Sequence, residues 1–135
     1  MSRIRSEHTR PELQVRQYLW RQGFRYRLHG TKLAGKPDVV LPKWRAVVFI
    51  HGCFWHRHEG CPLFRLPKTR QEFWDQKLRA NQSRDKGSIA KLTADGWRVA
   101  VVWECTLRSD PAQNLEQLAA WIRSDEPIIE IGRNA

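Results

Sequence analysis

A single α/β domain, with a mixed central sheet flanked by helices, is the architecture this sequence predicts. Three observations carry that expectation. At 135 residues the chain is one domain by length, spanning 1–135, and long enough for one packed core. Short apolar runs of strand length are interleaved with longer segments that open on capping residues and carry apolar positions at helical spacing. Finally, Arg98-Val99-Ala100-Val101-Val102-Trp103 is nearly all apolar, as expected of a central strand covered on both faces.

The elements follow in order. Thr9-Arg10-Pro11-Glu12 opens a helix: Thr9 caps, Pro11 suits the first turn, and Glu12 stands three after Thr9 as in a capping box. Val15, Tyr18 and Leu19, flanked by Trp20, form its apolar stripe, and Gly23 stops it. Phe24-Arg25-Tyr26-Arg27-Leu28 alternates apolar and basic residues, the period of a half-exposed strand. A loop rich in Gly and Lys, residues 30–36, leads to Pro37-Asp38-Val39-Val40-Leu41. Pro42-Lys43-Trp44-Arg45 reads as a hairpin turn, with Ala46 to Ile50 as the returning strand. Counting outward from that turn places Asp38 opposite Phe49, within one residue.

Further on, Thr69-Arg70-Gln71-Glu72 repeats the capping-box pattern and starts a helical stretch that ends near Gly96, with Ser83 and Gly87 as points where it bends or divides. The central strand comes next. Asp110 and Pro111 begin a last helix carrying Leu115, Leu118, Trp121 and Ile122, and residues 127–131 form a short apolar tail of edge-strand type. A three-stranded meander joined to a crossover helix gives the mixed sheet. No internal repeat or low-complexity segment is present.

Composition narrows the function. The formal net charge is +10, with basic residues spread along the whole chain, and there are seven tryptophans. A basic surface combined with planar side chains fits a nucleic acid as partner. No apolar run approaches the roughly 20 residues that span a bilayer, and residues 1–5 lack the apolar segment of a secretion signal. A cytoplasmic, nucleoid-associated protein is expected, with no membrane partner. In that reducing compartment three cysteines call for an explanation other than disulfides.

One stretch concentrates the chemistry. Residues 50–61, Ile-His-Gly-Cys-Phe-Trp-His-Arg-His-Glu-Gly-Cys, hold three of the five histidines and two of the three cysteines. Cys53, His58 and Cys61 supply three ligands of the kind zinc favours, and Cys105, just after the central strand, completes a Cys3His set that would pin the loop 51–61 to the sheet. His56 is the competing ligand. Asp38, brought beside Ile50 and His51 by the hairpin, suits a divalent cation such as magnesium, and the unperturbed pKa of a histidine, about 6.5, makes His51 and His56 the candidates for proton transfer. Each has a structural alternative: a turn role for Asp38, packing or zinc support for the histidines, and helix capping for Glu12.

These residues closely resemble the very-short-patch mismatch repair endonucleases, the Vsr family. The resemblance lies in Leu33-Ala34-Gly35-Lys36-Pro37-Asp38-Val39-Val40, Val48-Phe49-Ile50-His51-Gly52-Cys53-Phe54-Trp55-His56, Thr69-Arg70-x-Glu72-Phe73-Trp74, and Gly96 to Cys105, and it runs over most of the chain to about Leu107. It implies a PD-(D/E)xK restriction-endonuclease-like fold, structural zinc on Cys53, His58, Cys61 and Cys105, and catalytic magnesium at Asp38 and the backbone carbonyl of Ile50. His56 is implied as general base, with Glu12 and His51 acting around the hydrated metal and the phosphate. Family members nick double-stranded DNA 5′ to the thymine of a T:G mismatch, and Phe54, Trp55 and Trp74 match aromatics that wedge into the base stack beside it. A mispaired step opens at lower cost, so such a wedge makes deformation part of recognition. The charge pattern itself, apart from the resemblance, places the phosphate contacts among Arg25, Arg27, Lys32, Lys36, Lys68 and Arg70, with Lys36 and Arg70 the two expected to bind DNA.

The chain also departs from the family pattern. Ile50 stands in place of a threonine, Arg57 and Glu59 interrupt a common run of histidines, and Gly60 is an added residue before Cys61. The first helix begins close to Met1, so the N-terminal segment that reaches over DNA in relatives is expected to be nearly absent. A nickase acting on other mismatches or on modified or invading DNA is the nearest alternative. A non-catalytic zinc-containing DNA-binding module is the other, although it would have no need of the Asp38, His51, His56 group. Double-stranded DNA with a mismatch is the expected partner, and mismatch-repair proteins are the protein class open to such an enzyme. One active site suffices for a nick, so a monomer is expected.

Overall fold

Arg27–Leu28 (β1), Val39–Leu41 (β2), Ala46–His51 (β3), Arg98–Trp103 (β4) and Ile128–Ile131 (β5) form one five-stranded sheet in that spatial order. The first three strands run as an antiparallel meander, and β3, β4 and β5 are parallel, so the sheet is mixed. Four α-helices complete the described residues: Arg10–Arg21 (α1), Gln71–Ala94 (α2), Glu104–Ser109 (α3) and Pro111–Arg123 (α4). This computed structural model describes residues 9–132, and the expectations placed on residues 1–8, including the short N-terminal segment, lie outside them.

Alternation along the strands builds two cores. Val39, Leu41, Ala46, Val48, Ala100 and Val102 face one side, where they meet Val15 and Leu19 of α1 and Leu115, Leu118, Trp121 and Ile122 of α4. Val40, Val47, Phe49, Val99, Val101 and Trp103 face the other side. That second face is closed by Leu92 and Ile89 of α2 together with Cys53, Cys61 and Cys105. An irregular loop therefore serves as part of a core layer, a place where backbone polar groups are hard to satisfy and where a cross-link has most to contribute. Leu92 is 1% exposed, and shortening it to alanine would cost roughly 2–5 kcal/mol.

The predicted hairpin register is observed. Leu41 pairs with Ala46 and Val39 with Val48, which sets Asp38 against Phe49. The turn itself is a short 3-10 segment, Pro42–Trp44, closed by Arg45 in a left-handed conformation. Thr9 caps α1, its Oγ1 accepting from the Glu12 N–H at 3.4 Å.

Four details differ from expectation. The strand expected over residues 24–28 contracts to Arg27–Leu28, because the three-residue β2 offers no longer partner. The capping box at Thr69 does not form: Arg70 takes the cap position with φ 54° and gives α2 no side-chain bond. α2 is one uninterrupted helix of 24 residues through Ser83 and Gly87. The helix α3 directly after β4, which carries Cys105, was not expected. No helix among the described residues is long and apolar enough to cross a membrane.

Candidate functional site

The loop after β3 is held from two sides. From the sheet side, the Cys53 N–H donates to Glu104 Oε1 at 3.4 Å, and His58 stacks flat on Trp103, ring centres 4.0 Å apart. From the other side, α2 acts as a rail. Arg57 reaches Asp75 at 2.9 Å, Asn81 Nδ2 donates to the Trp55 carbonyl at 3.1 Å, and Gln82 donates to the Arg57 carbonyl at 3.4 Å. Only Leu78 and Leu92 of this helix are buried, so α2 contributes more by holding the loop than by filling the core. Arg57 is itself buried and left-handed, φ 55°, and its second nitrogen binds Glu59 at 2.7 Å. Gly60 also adopts positive φ, 79°, which a glycine accepts without strain.

Cys53, His58, Cys61 and Cys105 converge, each offering one ligand atom within 4.8 Å of the others. Bonds of about 2.3 Å to sulfur and about 2.0 Å to nitrogen in a tetrahedron place neighbouring ligand atoms roughly 3.6 Å apart. Cys105 Sγ lies 3.7 Å from His58 Nδ1. Burial pushes the Cys53 and Cys105 thiols up from their ordinary range, a condition that a zinc-class cation reverses by binding thiolate. The group is consistent with a structural zinc site, and His58, not His56, belongs to it.

His56 turns the opposite way. Its ring stacks on that of His51, with centres 3.8 Å apart and planes 3° from parallel, and its Nδ1 lies 2.6 Å from Asp85 Oδ2. His51 is buried, and that burial, followed by the neighbouring His56 and His58, holds its pKa well below the ordinary value. It is a neutral imidazole at neutral pH. Both rings line a cavity of about 550 Å³ shared with Glu12, Lys36, Asp38, Ile50, Trp55, Asp85 and Glu104. Asp38 accepts from the Ile50 N–H at 2.7 Å, and desolvation raises its pKa to about 6 despite that bond. Glu12 is 3% exposed and fixed by Arg16 at 3.1 Å and His29 at 3.2 Å. Gly35 approaches the cavity with φ +73°, and a Cβ there would fall 2.7 Å from Ser88 Cβ.

The aromatics gather at the rim. Phe54, Trp55 and Trp74 form a triangle of edge contacts, with ring centres 5.0 to 6.0 Å apart and all three partly exposed. Phe73 extends the group outward, and the Arg70 guanidinium lies over its ring at 4.2 Å. Arg70 is therefore beside the aromatic cluster and apart from the cavity, whereas Lys36 is on the cavity wall.

The sequence that builds this site is similar to those of known proteins. The model of the DNA mismatch endonuclease Vsr matches residues 1–62. The type II nicking enzyme V.XorIIP of Xanthomonas oryzae pv. oryzae is 52% identical over 107 residues, which cover 79% of this chain and 78% of that protein. The DNA mismatch endonuclease Vsr of Escherichia coli K12 is 42% identical over 127 residues, which cover 90% of this chain and 80% of that protein. The chain belongs to the Vsr family. A further relative is the type II nicking enzyme V.NmeAIP of Neisseria meningitidis, 46% identical over 81% of this chain and 77% of its own.

Two acidic cavity residues of this Vsr-family chain, Asp85 and Glu104, were not among the expected site residues. Asp85 had a signal available. Leu78, Gln82, Asp85, Ile89 and Leu92 fall at spacings of four, three, four and three residues, one face of a helix, and polar members within such a stripe mark where the helix meets something other than core. Glu104 has none, since it lies on the unexpected α3.

Proposed function

We propose that this chain is a DNA nicking endonuclease that hydrolyses one strand of a duplex 5′ to the thymine of a T:G mismatch, with magnesium, on a restriction-endonuclease-like core. The observation that carries it is the shared cavity: Asp38, His51 and His56 line one space, with Lys36 and Trp55 on its walls. Membership of the Vsr family supports duplex DNA as the substrate. A binding module would require the charge and the aromatics but not this group.

Asp38 and the Ile50 carbonyl would hold magnesium, which would act as a Lewis acid on the scissile phosphate and relieve charge on the leaving oxygen. Asp85 fixes the tautomer of His56. A carboxylate only accepts, so the hydrogen sits on Nδ1 and the Nε2 lone pair is free to take a proton from the attacking water. His51, neutral and stacked beneath, fixes the His56 ring plane without adding a competing positive charge. Glu12, held by Arg16 and His29, orients water at the cavity wall, and Lys36 meets the phosphate. Phe54, Trp55 and Trp74, their direction set by the zinc-pinned loop and α2, wedge into the weakened step.

Incubating the protein, with magnesium, against a panel of matched and mismatched duplexes tests this. A nick confined to T:G duplexes is expected. Equal cleavage of other mismatches would favour the broader nickase reading, and intact duplexes throughout would refute both.

A further inference from the structure

One ring nitrogen each of His51 and His56 and one carboxylate oxygen of Asp85 lie within 4.8 Å of one another. This trio is distinct from the three cysteines with His58 and from Asp38. His51 is 5% exposed, and its Nδ1 has no hydrogen-bond partner, an uncommon condition for a buried polar atom. Two imidazoles and one carboxylate make a donor set that favours zinc, cobalt or nickel over magnesium, whose preference is for oxygen alone. All three residues line the cavity of about 550 Å³ and also a second one of about 340 Å³, so an ion would reach them from either cavity. The two rings lie face to face, their centres 3.8 Å apart. Convergence on one ion needs a tilt of His56, whose side chain is 28% exposed.

We propose that His51, His56 and Asp85 form a second, exchangeable transition-metal site, filled by zinc above the level that saturates the cysteine site, and that its occupation blocks the nick. The inhibitory part rests on His56 as the base. An ion on the trio occupies the ring and the carboxylate that the proton transfer uses, whereas the cysteine site, closed by four protein ligands, keeps its ion.

Zinc stoichiometry by equilibrium dialysis, with nicking of a T:G duplex followed in parallel, tests the proposal. Two zinc ions per chain are expected, with nicking falling about 10²-fold or more as the second binds. Asp85→Asn should retain the first ion, which also reports that it folds, and lose the second. Cobalt substitution adds a signature: thiolate charge-transfer bands from the first ion and none from the second. A single ion at saturation, a second ion undisturbed by Asp85→Asn, or nicking unaltered with the second ion bound would each overturn it. Two ions on a protein that never nicks would uphold the site and count against the proposed function instead.

Discussion

His56 Nδ1 and Asp85 Oδ2 lie 2.6 Å apart, joining the loop after β3 to the middle of a helix 29 residues further along the chain. That contact assigns the Nδ1 hydrogen, leaves Nε2 as the acceptor, and separates His56 from the neighbouring His58, which faces the cysteines.

Replacing Asp85 by asparagine therefore tests the tautomer. An amide can donate to Nδ1 and so place the hydrogen on Nε2, where the base should be. The single-turnover nicking rate should fall about 10²-fold while duplex affinity stays unchanged. Equal losses in both would assign Asp85 to DNA binding.

Removal of zinc by a chelator, or Cys105→Ser, should release the loop without melting the sheet. Only one of the two cores contains the cysteines, and the other is built from α1, α4 and the strands. Far-UV circular dichroism should hold while tryptophan emission shifts, because Trp103 loses its stack with His58. Zinc affinity of Cys105→Ser should fall by more than the roughly 10–100-fold typical of losing an outer hydrogen-bond partner.

Asp38 predicts a pH dependence. Its folded pKa, about 6, lies above the ordinary 3.8, so the folded metal-free protein binds this proton more tightly than the unfolded chain. The resulting stabilisation is complete below about 3.8 and is lost as pH rises through about 6. Magnesium competes with that proton. The rise in Tm produced by magnesium should be small near pH 5 and grow as pH passes 6, and a magnesium effect independent of pH would remove Asp38 from the metal site.

The legible parts of this protein were those encoded by local pattern. A four-residue connection between two apolar runs specifies hairpin register, so the approach of Asp38 to Ile50 could be counted from the turn. Cysteine and histidine spacing pointed to the convergent set around Cys105, because three thiols cannot all pair with one another and two of them share a short loop with histidine. Thr69 misled, since a capping box competes with the left-handed turn at Arg70 and backbone geometry prevailed. Asp85 stayed hidden because its partner is distant in sequence and its helix is polar nearly all round, and α3 because six residues carry too little periodicity to register.

Single-turnover nicking of an end-labelled T:G duplex by the protein and by Asp38→Ala, with magnesium, tests the central claim most directly. A nick 5′ to the mismatched thymine by the first, and none by a folded Asp38→Ala that retains its zinc, is the predicted result. Nicking by Asp38→Ala at the unmodified rate would contradict it.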